Sequence, residues 1–375
     1  MAPSLTMTSH DLFDVDVAGW YDRPGPVLTL WLPSPSAVEG APEHLRQHAK
    51  SVLDGLGDTA PPAAVAAVTE ALADDDRAHA AGESLVVLAD ADGTVALVGL
   101  PDEVPTGRGW VGALPRLGPI LEARQHVVPH VVVVADRVGA DLVAVGATGE
   151  SDAESVDGSS LHIHKGQPGG WSQRRFQQRA ENRWDHNAAA VADEVDALRA
   201  AVGARVVIAT GDVRALQLLG EHAPPALAEV LVVHDGPGRS DADAMAAIQP
   251  EVDRQVATVV ATDTKEVMEH FDEVRHKDRA ADGPEAVLAV LSEARADVLL
   301  VHDDMDDDRE AVIDRASGQV GLDAEALRSL GLEPVPARLV DAALWAARHT
   351  GASVRFVAGH GPHAPEGRLG ALLRG

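Results

Sequence analysis

The chain has 375 residues, 45% of them apolar, no cysteine and a formal charge of −28. That length exceeds one ordinary core and points to two or three domains, while the missing cysteine excludes disulfides, thiolate catalysis and Cys-ligated zinc. No apolar run resembles a secretory leader or approaches the roughly 18 residues that cross a bilayer, so a soluble cytoplasmic protein with no membrane partner is expected.

Three blocks are expected, at 1–126, 127–236 and 237–375. In the first, residues 27–32 and 84–89 read as strands and the Ala-rich stretches 42–56 and 61–80 as helices. Ala91-Asp92-Gly93-Thr94 reads as a hairpin turn into a strand at 95–100, and 101–119, rich in Gly and Pro, as a loop. Nothing in this block carries recognisable chemistry, so its role stays open.

The second block opens with the β-branched run 131–134, turned back at 137–140 into a strand at 141–146. A polar loop over 147–157 leads to a short alternating strand at 161–164, then a loop of Gly, Gln and Pro. A long helix follows, on which Phe176, Ala180, Trp184, Ala188, Val191, Val195, Leu198 and Val202 form one apolar stripe. Gly203 stops it. Strand 206–209, helix 213–222 and strand 230–234 complete the order of a ribonuclease-H-like fold. The third block alternates helices (about 241–279, from 284, near 323–330 and 337–349) with strands at 297–302 and 353–358, which implies a small α/β sandwich.

Basic residues gather at one place. From Leu161 to Asn187, Lys165, Arg174, Arg175, Arg179 and Arg183 stand against Glu181 and Asp185, +5 and −2, leaving −31 for the remainder of the −28 chain. Strongly anionic proteins are repelled by RNA unless cations cluster, so this contrast marks a docking surface for an anionic partner. Gly169-Gly170 precede the helix, and a glycine pair before a cationic helix start allows close approach to a phosphate backbone.

Other residues offer competing chemistry. Asp136, Asp212 and Asp235 follow strand ends, where a ribonuclease-H-like nuclease holds two metal ions. Asp at such positions also forms turns and caps, and Asp212 stands where the cap of helix 213–222 belongs. His162 and His164 share one strand face without a third ligand. Asp303, Asp304, Asp306, Asp307 and Asp308 match no cation-binding loop and read as a solvated acidic turn. No metal or cofactor is expected.

The segment from His164 to Phe176 resembles the central domain of the archaeo-eukaryotic class-one release factors and Pelota. The residues shared in order are Gly169-Gly170, Ser172, Arg175-Phe176, Arg179, Arg183 and His186-Asn187; a closing segment at 366–374 is also similar. The chain looks like a bacterial group of this family related to the hibernation factor Balon. The resemblance implies an α/β multidomain protein with a ribonuclease-H-like centre and a C-terminal α/β sandwich like the kink-turn-binding ribosomal-protein fold. It implies binding at the ribosomal A site with elongation factor Tu or another translational GTPase as partner. Where those release factors carry their catalytic glutamine this chain has Trp171, whose indole donates one hydrogen bond and accepts none. Gly170-x-x-Gln173 is similar to the motif of the Gly-x-x-Gln peptidyl-tRNA hydrolases. Two readings follow: a ribosome-protecting or hibernation factor contacting rRNA through Lys165, Gly169, Gly170, Trp171, Ser172, Arg174, Arg175, Arg179 and Arg183, or an enzyme releasing peptide from peptidyl-tRNA with Gln173 as catalytic residue.

Overall fold

The computed structural model describes residues 17, 19–33, 41–74, 83–100, 104, 106–147, 149, 151–157, 170–239 and 243–375, without the side chains of 41, 156–157 and 170–184. In the first block β1 (Val27–Pro33), β2 (Ser84–Asp90), β3 (Val95–Leu100) and β4 (Arg108–Gly112) form an antiparallel sheet of order β3-β2-β1-β4. Helices α1 (Ala41–Leu56), α2 (Pro62–Ala71) and α3 (Gly118–Gln125) accompany it. The stretch expected to be a loop over 101–119 therefore contains a strand and a helix start. Gly109 and Gly112 conceal β4 from a hydrophobic pattern, yet Gly109 is needed, because a Cβ there would lie 2.5 Å from Val52.

The central sheet comprises β5 (His130–Ala135), β6 (Gly139–Val145), β7 (Ser151–Asp157), β8 (Val206–Gly211) and β9 (Leu231–Val233), with α4 (Gly170–Val202) and α5 (Val213–His222) between strands. Its order is β7-β6-β5-β8-β9, with β5, β6 and β7 antiparallel in succession and β5, β8 and β9 parallel. This is the ribonuclease-H-like arrangement. The third strand is β7, where a polar loop over 147–157 was expected; the strand expected at 161–164 lies outside the described residues. Residues 151–155 are exposed, so this edge strand has a polar composition that reads as a loop.

Beyond lie α6 (Ala244–Val274), β10 (Ala280–Asp282), α7 (Pro284–Ser292), β11 (Ala296–Val301), β12 (Glu310–Asp314), β13 (Gln319–Gly321), α8 (Ala324–Ser329), β14 (Val335–Arg338), α9 (Leu339–Thr350), β15 (Ser353–Phe356) and β16 (Leu369–Leu373). A mixed sheet runs β10-β16-β11-β15, and a side sheet runs β13-β12-β14. The side sheet was invisible as pattern because its strands have three to five residues. Among the described residues, no helix is long and apolar enough to cross a membrane.

The chain divides into two compact units, His126–Asp263 and the remainder. The central unit passes the 236/237 boundary expected from sequence because α6 begins on the central sheet: Ile248 and Val252 pack on Val132, Val206 and Ile208. Arg239 binds Asp141 (3.0 Å) and Arg205 binds Asp263 (2.7 Å). The other face of this sheet buries Val131, Val133, Leu142 and Val207 under Val191 and Val195 of α4 and Leu216 and Leu219 of α5.

In the larger unit the first and last blocks share one core. Period-two alternation places Leu28, Leu30, Leu32, Leu85 and Val87 under α1 and α2. Val27, Trp31, Val86 and Leu88, on the opposite face, join Val287, Leu299, Ile313, Leu344 and Phe356 of the last block. A sheet buried on both faces loses polar alternation, which is why β1 and β2 read as continuous apolar runs. Buried Gln125 adds a polar tie: its amide donates to Phe356 O (2.9 Å) and accepts from Phe356 N (2.7 Å).

The charged seam of this core centres on Arg338. Its guanidinium, only 6% exposed, pairs with Asp303 and with Asp341 (3.3 Å) and donates to Asp304 O and Asp307 O (both 2.7 Å). One cation cannot neutralise two buried carboxylates. Burial, with the nearby Asp303 charge and against the pull of Arg338, raises Asp341 to about 7. Gly118 packs so closely that a Cβ would meet Asp303 Oδ2 at 1.7 Å.

Arg338→Met, which strands both carboxylates, is expected to lower the unfolding free energy by about 3–5 kcal/mol in denaturant titration. Because native Asp341 holds its proton more tightly than the unfolded chain does, its stabilising protonation is full below about pH 4 and is lost as pH rises to about 7. Subtracting the pH–stability curve of Asp341→Asn from that of wild type should isolate a decline over that window; a flat difference refutes the assignment.

Candidate nucleic-acid interface

The cationic segment lies at the head of α4, which starts at Gly170 and runs 33 residues. Gly170, Trp171, Ser172 and Gln173 thus stand in the first helical turn, so Gly170, expected to precede the helix, begins it. Arg174, Arg175, Arg179 and Arg183 follow on the same helix, and the spacing of the last three places them along one line of it. Lys165 and Gly169, like His162 and His164, lie outside the described residues, as do the side chains of 170–184.

The base of α4 is well anchored. Ala188, Val191, Ala192 and Val195 are buried, as the apolar stripe anticipates, and Leu198 and Val202 pack partly buried against the same core. Phe176, Ala180 and Trp184 belong to the part whose side chains are outside the description. Polar ties supplement the packing: Asp185 pairs with His222 of α5 at 2.8 Å, and buried Asn187 donates to Arg137 O at 3.2 Å. In the His186-Asn187 pair, therefore, the asparagine fixes the helix to the β5–β6 turn while His186 is exposed. The Asn187 side-chain oxygen is buried without a hydrogen-bond partner among the described residues.

The same end of the unit holds the candidate nuclease carboxylates. Asp136 Oδ1 accepts from Val138 N (2.7 Å) and Gly139 N (2.8 Å), closing the hairpin turn. Asp212 caps α5 by accepting from Arg214 N (3.0 Å) and Ala215 N (3.1 Å), and pairs with Arg137 at 3.1 Å. Desolvation opposes its ionisation, but the Arg137 guanidinium and the two amides outweigh it and hold the carboxyl below its ordinary range. Asp235 is exposed. Both inner carboxylates are thus engaged in local structure, and among the described residues no three His, Asp or Glu side chains form a group able to hold a metal ion.

The acidic run 303–308 is solvated at Asp306 and Asp308, as expected, but its carboxylates are also paired with arginines. Besides Asp303, Asp304 pairs with Arg368 (2.8 Å), Asp306 with Arg108 (2.5 Å), Asp307 with Arg309 (2.5 Å) and Asp308 with Arg116 (2.6 Å). The Arg309 side chain, opposed by desolvation, lowers Asp307 to about 2. Except for Arg309, these partners are dozens of residues or more away in sequence, so no local pattern could reveal them.

Comparison with known proteins gives a family and several similar chains. Residues 129–277 match the model of bacterial archaeo-eukaryotic release factor family 2. An uncharacterized Mycobacterium tuberculosis protein, Rv2629, is 30% identical over 267 residues, 69% of this chain and 69% of the relative. Among solved structures, ribosome-bound archaeal Pelota with ABCE1 is 16% identical, covering 94% of this chain and 92% of that chain at TM-score 0.42. The archaeal translation termination factor aRF1 is 16% identical, covering 94% and 93% at TM-score 0.25. At these scores no residue role passes from either structure to this chain.

Asp212→Ala removes the cap of α5 and should cost about 1 kcal/mol of stability in chemical denaturation. A cost indistinguishable from zero would show that the cap and its pair with Arg137 contribute nothing. With residues 129–277 matching that family's model and a relative 30% identical over 69% of both chains, the chain is a member of the bacterial archaeo-eukaryotic release factor family.

Proposed function

We propose that this protein is a ribosome-directed translation factor that docks in the A site, with the head of α4 against rRNA near the peptidyl-transferase centre. The observation carrying this reading is a helix with arginines at 174, 175, 179 and 183 just inside its start, in a chain of charge −28. Cations neutralising phosphates and releasing their counterions supply affinity, and the acidic remainder opposes binding elsewhere on nucleic acid. Family membership supports the ribosome as the anionic partner. Elongation factor Tu or another translational GTPase is the proposed delivery partner.

The proposed outcome of docking is protection or hibernation of an idle ribosome. Trp171 occupies the position that carries glutamine in the release factors, and an indole cannot accept the hydrogen bond that positions a water. A second reading rests on Gln173, one helical turn after Gly170: as a water-positioning group it would release peptide from peptidyl-tRNA.

Reversing Arg175, Arg179 and Arg183 to Glu should abolish co-sedimentation with ribosomes at moderate salt. Milder neutralisation of the three should reduce the slope of log affinity against log salt by roughly 2–3. Undiminished co-sedimentation of the reversed variant sinks the docking proposal. Ribosomes carrying labelled peptidyl-tRNA separate the two outcomes: binding without release supports protection, whereas release that disappears in Gln173→Ala establishes the hydrolase.

A further inference from the structure

Within the larger unit, the first and last blocks enclose a cleft of about 850 Å³ that the ribosomal reading does not use. Its size suits a small-molecule site, for which roughly 300–1,000 Å³ is usual. Trp110, Val111 and Leu114 line one side, and Val335 and Pro336 line the other. Both of the latter are exposed, Val335 by 39%.

The charges around the cleft are unevenly matched. Arg116 stacks on the Trp110 ring at 4.3 Å and pairs with Asp308, while Arg338 takes Asp341. Arg315 is different. Its Nη1 donates to Tyr21 O at 2.9 Å and its Nη2 to Ala113 O, two of the five N–H groups a guanidinium carries. Among the described residues it forms no ion pair. Burial pushes this guanidinium below its ordinary value, against the pull of the Asp22 charge. Glu310, also on the cleft wall, stands at the other end of β12, about 16 Å away along the strand. One end of the cleft thus presents a half-buried cation with donors unused among the described residues, beside apolar and aromatic walls. A buried charge lacking a counter-ion is costly, and an incoming anion would relieve that cost.

We propose that this cleft binds a small organic anion, with its carboxylate or phosphate on Arg315 and its apolar body against Trp110, Val335 and Pro336. Such a site gives the first block a ligand-binding role independent of the helix that faces the ribosome.

Thermal denaturation and calorimetric titration of the full-length chain with benzoate, phenyl phosphate and benzamide test the assignment. Wild type should be stabilised by benzoate or phenyl phosphate and not by neutral benzamide; the stronger anion identifies the group preferred. Arg315→Met should weaken that binding about tenfold or more, as expected when charge-assisted hydrogen bonds are lost. Pro336→Trp fills the cleft from its exposed side, leaves the bonds of Arg315 in place and should abolish binding, which keeps the test decisive if Arg315→Met fails to fold. No anion binding by wild type at about 10 mM, equal binding of benzamide, or undiminished binding by Pro336→Trp overturns the proposal.

Discussion

A guanidinium in a dry site must be paired, and the larger unit is organised around that requirement at Arg338. Two buried aspartates and two carbonyls of the 303–308 segment converge on it. The side chain thereby fixes the path of five aspartates that would otherwise repel one another. Arg108 and Arg116 from the first block and Arg309 and Arg368 from the last neutralise the others. An acidic loop becomes a junction between blocks separated by nearly two hundred residues. The apolar core beneath it supplies area, and the arginines determine which surfaces meet, since a misplaced buried charge costs several kcal/mol.

The central unit follows a different logic. There the sheet is covered by α4 and α5 on one face and by the start of α6 on the other, so its inner strands β5 and β8 are Val-rich and unbroken. Rigid packing of the base of α4, reinforced by Asn187 and Asp185, gives the cationic head a fixed support. The proposed interface needs such a support, because contacts to a folded RNA depend on position as well as charge. Polar groups that resemble catalytic carboxylates serve this architecture instead: Asp136 makes a turn and Asp212 a cap.

The acidity of the chain bears on both units. Charge of one sign opposes compaction and non-specific association alike. In the larger unit that opposition is met by specific arginine pairs, and in the proposed interface by concentrating cations on one helix. Arg315 departs from the pattern, since among the described residues it lies half-buried at a cleft without the paired carboxylate that the other cleft arginines have.

Read alone, the sequence determined the elements whose pattern is strong: the continuous apolar strands β1 and β2 of the first block, the Val-rich strands of the centre, the stripe from Ala188 to Val202 and the helices around Pro284 and Ala343. It also located the cationic helix head, because charge and helical spacing are local properties. Tertiary structure alone decided the rest. β7 is a polar edge strand and β4 a glycine-bearing one, and neither has an alternation to read. The extent of the central unit depended on which sheet the start of α6 covers, and the pairing of the acidic loop on arginines remote in sequence. Patterns report how a segment meets its own neighbours; which distant surfaces and charges meet is settled only when the chain packs.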